Sequence, residues 1–290
     1  MDYSVGHQEF FKRSFTQEDF RRFAGLTGDD NPIHVDPEFS ARTHFGQTVA
    51  HGMLLYSTIC RVLSTQFPGP GFLQVRQDMM FQSPTYTDTE ITVKFEVADV
   101  QHAKQMAEIR TMIILPDGKL ACSGSTTIHL PGWRGGFPGI DQRMADAGES
   151  EARTLKRLKI GQTAAAKRVF VAEDLAEYAD LTGDTNALFN DADYARPLGF
   201  KDRIIPGPLL SGMFSDLLGT KLPGRGTNWL KHKLHFPAPA YLGDEITAKV
   251  EITRLRPEKD LVNLRGTSTN SNGELVCQAQ SLVLVKDLEE

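Results

Sequence analysis

The sequence predicts an α+β protein built from two copies of one domain, each a long apolar helix followed by antiparallel strands able to wrap it. Three observations carry this prediction. The first is an internal repeat: Thr27-Gly28-Asp29-Asp30-Asn31 recurs as Thr182-Gly183-Asp184-Thr185-Asn186, an offset of 155 (184 less 29). The same offset carries Phe15 to Phe170, Glu18-Asp19 to Glu173-Asp174, Phe45 to Phe200, Gly52 to Gly207, Phe81-x-x-Pro84 to Phe236-x-x-Pro239, Tyr86 to Tyr241 and Cys122 to Cys277, without an insertion. The second is helical spacing of apolar residues through Met53, Tyr56, Ile59, Cys60 and Leu63. The third is strict alternation in Ile91, Val93, Phe95 and Val97, repeated in Ile246, Ala248, Val250 and Ile252, which marks half-buried strands.

In chain order, Thr16-Gln17-Glu18-Asp19 reads as an N-cap with an acidic residue three positions on, opening a helix whose apolar face is Phe20, Phe23 and Ala24 and which ends near Gly25 to Gly28. Pro32 denies Asn31 an easy helical conformation, so a fixed loop is expected next. The long helix should run from about Thr48 to Gln66 and be largely wrapped, since Leu54, Leu55 and Val62 extend its apolar surface. Asp117-Gly118 and Asn272-Gly273 are two-residue hairpin signals between the last two strands of each copy. The domains are placed at residues 1–135 and 160–290, joined by a linker over residues 136–159 that is Gly- and Pro-rich at its start and charged thereafter.

Composition narrows the function. With 40% apolar and 24% charged residues the chain can bury a core, and a net charge of −5 with no Lys/Arg-rich run argues against a nucleic-acid partner. No apolar run approaches a membrane span and no basic-then-apolar leader opens the chain, so a cytoplasmic protein is expected. Cys60, Cys122 and Cys277 form neither a disulfide framework nor a metal-ligand spacing and read as core thiols; no metal is expected.

The chemistry concentrates in Gly28-Asp29-Asp30-Asn31-Pro32-Ile33-His34 and Ala50-His51-Gly52-Met53. A carboxylate and an imidazole five residues apart across a rigid step can face one small volume and do acid and base work near neutral pH. The other histidines near this stretch, His44 and His51, read as packing or capping groups. Gly52 opens the long helix, where amides lack intrahelical partners and the helix end is partly positive, so an oxyanion fits there.

These two stretches, with Phe39-Ser40-Ala41 and Phe45-Gly46 between them, resemble the signature of the MaoC-like (R)-specific enoyl-CoA hydratases and dehydratases. The resemblance implies the hotdog fold, here two hotdogs packed as a pseudo-dimer. It implies Asp29 and His34 as the catalytic dyad, Asn31 as the orienting residue of their loop, and the Gly52 amide as donor to the thioester carbonyl. The activity implied is reversible hydration of a trans-2-enoyl thioester to the (R)-3-hydroxyacyl thioester, with no cofactor beyond CoA or acyl carrier protein as substrate carrier. A hotdog thioesterase and a non-catalytic acyl-thioester-binding subunit are the alternatives.

The repeat supplies an internal control. The second copy keeps Asp184 and Asn186 but has Phe189 where the first has His34, and Pro206-Gly207-Pro208 for His51-Gly52-Met53. A phenyl ring exchanges no proton, so the second site should be degenerate and the chain should carry one active site. Asp29, kept as Asp184 where the histidine is lost, should have a structural duty as well. Partners are therefore an acyl-thioester substrate and the intramolecular second copy, with further homo-oligomerisation open and no membrane.

Overall fold

Local chemistry sets the first elements. Thr16 accepts from the Asp19 amide while the Asp19 carboxylate accepts from the Thr16 amide, opening helix α1 (Gln17–Thr27), and Gly28 closes it at φ 83°. Asn31 is non-helical, as its proline neighbour requires, but the segment after it is a helical turn rather than plain loop. Its carboxamide oxygen caps helix α2 (Pro32–Val35), where Pro32 occupies the first turn with φ already set for helix. Asp36 likewise caps α3 (Pro37–Ala41). The central helix α4 (Gly52–Thr65) starts later than the apolar spacing suggests, because Val49 and Ala50 are committed to a bridge with Tyr86 and a bond to the Thr85 carbonyl.

The structure, a computed structural model, describes residues 4–145 and 152–289. In the first copy, strands β1 (Gln8–Arg13), β2 (Leu73–Phe81), β3 (Ile91–Gln101), β4 (Met106–Ile114) and β5 (Leu120–His129) lie in the order β1-β3-β4-β5-β2. A small hairpin of β6 (Thr154–Leu155) and β7 (Leu158–Lys159) precedes the second copy. There β8 (Thr163–Val169), α5 (Ala172–Thr182), α6 (Ala187–Asn190), α7 (Ala192–Ala195), α8 (Gly207–Asp216), β9 (Asn228–His235), β10 (Glu245–Arg256), β11 (Leu261–Thr269) and β12 (Leu275–Leu284) reproduce the first copy. Helix α8 ends in a π-helical turn over Leu217–Lys221.

The two five-stranded halves join through β2 and β9, which pair antiparallel with Asp78 opposite Lys233 near the middle, making one ten-stranded antiparallel sheet. Such a seam satisfies two rows of backbone groups that would otherwise be open edges. Alternate residues of β3 and β10 are buried beneath the central helices, and a single apolar cluster runs through both copies. The three cysteines are free and buried in it. This is the double hotdog architecture, with α4 and α8 side by side.

After β5 the Trp133 ring stacks back on His129 at 3.8 Å, and in the linker Phe137 meets the edge of Phe200 at 6.0 Å while the His235 ring donates to the Gly139 carbonyl. Among the described residues no helix is long and apolar enough to cross a membrane.

Candidate active site

Asp29, Asn31, His34 and Gly52 line one cavity of about 420 Å³. The first three are buried, and each has a traceable anchor. Asn31 is fixed from the second copy: its carboxamide oxygen accepts from the Gly226 amide at 3.2 Å and its nitrogen donates to the Thr227 carbonyl at 3.1 Å. Asp29 Oδ1 accepts from the Asn31 amide at 3.2 Å, and Oδ2 accepts from the Ser215 hydroxyl at 2.5 Å. Ser215 belongs to α8, so the carboxylate of the first copy is oriented by the central helix of the second.

His34 rides on α2 with Nδ1 2.7 Å from the Val49 carbonyl. A carbonyl only accepts, so Nδ1 carries the proton and Nε2 presents its lone pair. Burial pushes the His34 pKa down, against the pull of Asp29 and the Val49 hydrogen bond, which keeps the ring neutral near pH 7. Nε2 lies 4.0 Å from Asp29 Oδ2, too long for a hydrogen bond and a span that one water oxygen bridges.

His51 is the N-cap residue of α4, its side chain packing rather than capping the helix. Its ring stacks on His34, centroids 3.9 Å apart and planes 27° apart, and Nε2 is 3.0 Å from the Asp29 carbonyl oxygen. Asp29, His34 and His51 are also close enough together to be considered as a metal site. The stacking argues against it, since the in-plane lone pairs of two stacked rings run side by side and do not converge on one ion. Gly52 heads α4, where the first amides reaching back are those of Leu54 and Leu55, both to the His51 carbonyl, so its own N–H is free of the helix. Its lack of a side chain has a second reason: a Cβ there would lie 2.7 Å from the Phe81 ring.

The corresponding place in the second copy is built on the same plan, with Phe189 where the first copy has His34. Asn186 accepts from the Gly71 amide and donates to the Phe72 carbonyl, the counterparts of the Asn31 bonds. Asp184, however, accepts from the Tyr178 hydroxyl at 2.9 Å, with Ser64 nearby, and burial raises its pKa. Phe23 and Gly219 stand at the corresponding places around Asp29. The cavity beside Phe189 shrinks to about 40 Å³, with Phe137 of the linker in its wall. Sequence reasoning placed Asp29, Asn31, His34 and Gly52 but missed Ser215, Gly219, Gly226 and Thr227. The available signal was in the repeat, where Cys60 matches Ser215 and Ser64 matches Gly219.

A MaoC like domain profile matches residues 6–115 and 150–272. An (R)-specific enoyl-CoA hydratase of Aeromonas caviae is 37% identical over 127 residues, 44% of this chain and 95% of that protein. Among solved structures, a MaoC-like dehydratase superposes with TM-score 0.77 at 19% identity, covering 97% of this chain and 98% of that one. A Mycobacterium tuberculosis protein described as a double hotdog fold superposes at 0.72 with 18% identity, covering 97% and 96%. The chain belongs to the MaoC-like domain family, in its tandem, double hotdog form.

Proposed function

We propose that this protein is a hydro-lyase that adds water reversibly to a trans-2-enoyl thioester, giving the (R)-3-hydroxyacyl thioester, at one site per chain. The observation that carries the reading is the 4.0 Å span between His34 Nε2 and Asp29 Oδ2, in the wall of the cavity that also holds the head of α4 at Gly52. A water held by both groups gives a proton to Nε2 as its oxygen bonds to C3. The electron pair of the C2–C3 double bond moves toward the thioester carbonyl, whose growing charge is met by the Gly52 amide. The imidazolium, steadied by the Asp29 carboxylate, returns the proton to C2 from the same side, so H and OH add across the double bond and no redox partner is needed. Ser215 fixes the carboxylate through this cycle.

Residues 1–135 and 160–290 act together in this reading, since the second copy lends Ser215, Gly226 and Thr227 and its own dyad position is Phe189. Incubation with crotonyl-CoA tests it. Loss of enoyl absorbance without free thiol is expected; thiol release would indicate a thioesterase, and binding with neither would indicate a carrier subunit.

A further inference from the structure

We propose that His51 is the positioning residue of this site, holding the His34 ring and the helix head that bears the Gly52 amide in one fixed relation to Asp29. The proposal rests on the hydration reading for its kinetic part only. Three observations carry it. The His51 ring forms the wall against which His34 lies, 3.9 Å away, and is itself enclosed by Phe20 and Phe23. Its Nε2–H donates to the Asp29 carbonyl, tying the head of α4 to the dyad loop. Its Nδ1 is buried with no hydrogen-bond partner, a cost that an apolar residue in the same space would avoid. Packing alone therefore does not select a histidine here.

The repeat separates loop folding from chemistry. In the second copy the loop keeps its shape, with Asn186 capping α6 and Asp184 accepting from the Asn186 amide, yet the counterpart of His51 is Pro206. The loop folds without it, and the residue is missing where His34 is also missing. The second copy also keeps Gly207 at the head of α8 without this histidine, so what the comparison ties to His51 is His34. When Nε2 takes a proton, the face of an uncharged imidazole beside it supports the cation, and burial keeps His51 uncharged. The other titratable group facing His34 is Asp29, and Asp29 in turn has Asp216 of α8 in its field.

The test uses the full chain with ¹⁵N-labelled histidine, the His34 resonances being assigned by His34→Ala, alongside steady-state hydration of crotonyl-CoA. His51→Gln keeps a donor but removes the ring; His51→Phe keeps a ring but removes the donor; His51→Ala removes both. In the unaltered protein His34 should show one neutral tautomer, protonated at Nδ1. His51→Gln and His51→Ala should mix the tautomers and raise the His34 titration midpoint toward 6.5, the ordinary value, while His51→Phe should leave both as they were. All three should lower kcat about tenfold or more with KM changed less than about threefold, the mark of lost alignment rather than lost binding. The proposal is overturned if folded His51→Gln and His51→Ala keep the His34 tautomer and midpoint, whatever happens to Tm, or if kcat stays within about twofold in all three variants. If the unaltered protein hydrates no enoyl thioester, the hydration reading fails, and the tautomer and midpoint still decide whether His51 positions His34.

Discussion

Gly219→Ala should slow the enzyme without unfolding it. Gly219 lies in the π-helical turn after α8, directly over the dyad loop. A Cβ at this position would be 2.7 Å from Asp29 Oδ1 and 2.9 Å from Asn31 Cβ, whereas ordinary contact begins near 3.4 Å, so about 0.7 Å must be found. Asn31 cannot give easily, being held by Gly226 and Thr227, so the Asp29 carboxylate is the group that moves. The backbone of Gly219 is not in the left-handed region, and alanine gains up to about 1 kcal/mol of helix propensity over glycine, which offsets part of the strain. A displacement of about 1 Å in a catalytic constellation costs on the order of a hundredfold, so a somewhat smaller one should lower kcat roughly ten- to hundredfold. Crotonyl-CoA hydration gives kcat and calorimetry gives Tm on the same preparation. A folded Gly219→Ala protein with kcat within about twofold of the parent would refute the claim that the Asp29 carboxylate must sit where it does.

His34→Ala and Asp29→Asn should each reduce turnover by roughly two to four orders of magnitude, with near-UV circular dichroism retained; near-normal hydration by His34→Ala would remove the dyad. An unreactive enoyl-thioester analogue should saturate at one per chain by calorimetry, and Phe137→Ala with Phe189→Ala, which enlarges the degenerate cavity, should add no turnover in a His34→Ala background. His232 is wholly buried, with Nδ1 beside the Ser281 hydroxyl, and burial pushes its pKa down to about 3. Between pH 6.5 and about 3 the unfolded chain binds a proton that the folded chain refuses, so stability falls with acidification by about 1.4 kcal/mol per pH unit for this residue. Replacing His232 with Gln, the residue at its counterpart Gln77, should flatten the pH dependence of urea unfolding by about that slope.

What the sequence disclosed and what it withheld divide along a physical line. Alternation in β3 and β10, the capping box at Thr16 and the glycine turns at Gly118 and Gly273 are local devices, and they appear where local patterning puts them. Apolar spacing alone carries α4 back to about Thr48, whereas it begins at Gly52 because Val49 and Ala50 answer to Tyr86 and Thr85, partners more than thirty residues away. That Asp29, Asn31 and His34 share one loop was legible from their own spacing, and the structure gathers them in one cavity wall. The groups that hold that loop were not, since Ser215, Gly226 and Thr227 belong to the other half and lie some 190 positions further along the chain. The contacts of His51, a stacked ring and a backbone carbonyl on the Asp29–His34 loop, carry no local sequence pattern either.

The covalent join between the halves changes what a single substitution can accomplish. In a dimer of identical chains every replacement is made twice, so a serine that serves one carboxylate must also be tolerated beside the other. Here the helix facing Asp29 carries Ser215 and Gly219 while the helix facing Asp184 carries Cys60 and Ser64, an arrangement that no symmetric pair could adopt. In the second copy Tyr178 bonds to Asp184, the Tyr56 hydroxyl lies beside Gly207, and Phe189 stands in the wall of the small cavity. Any attempt to recover a second working site must accordingly undo a set of paired choices spread over both halves, and restoring one histidine at position 189 would address only one of them.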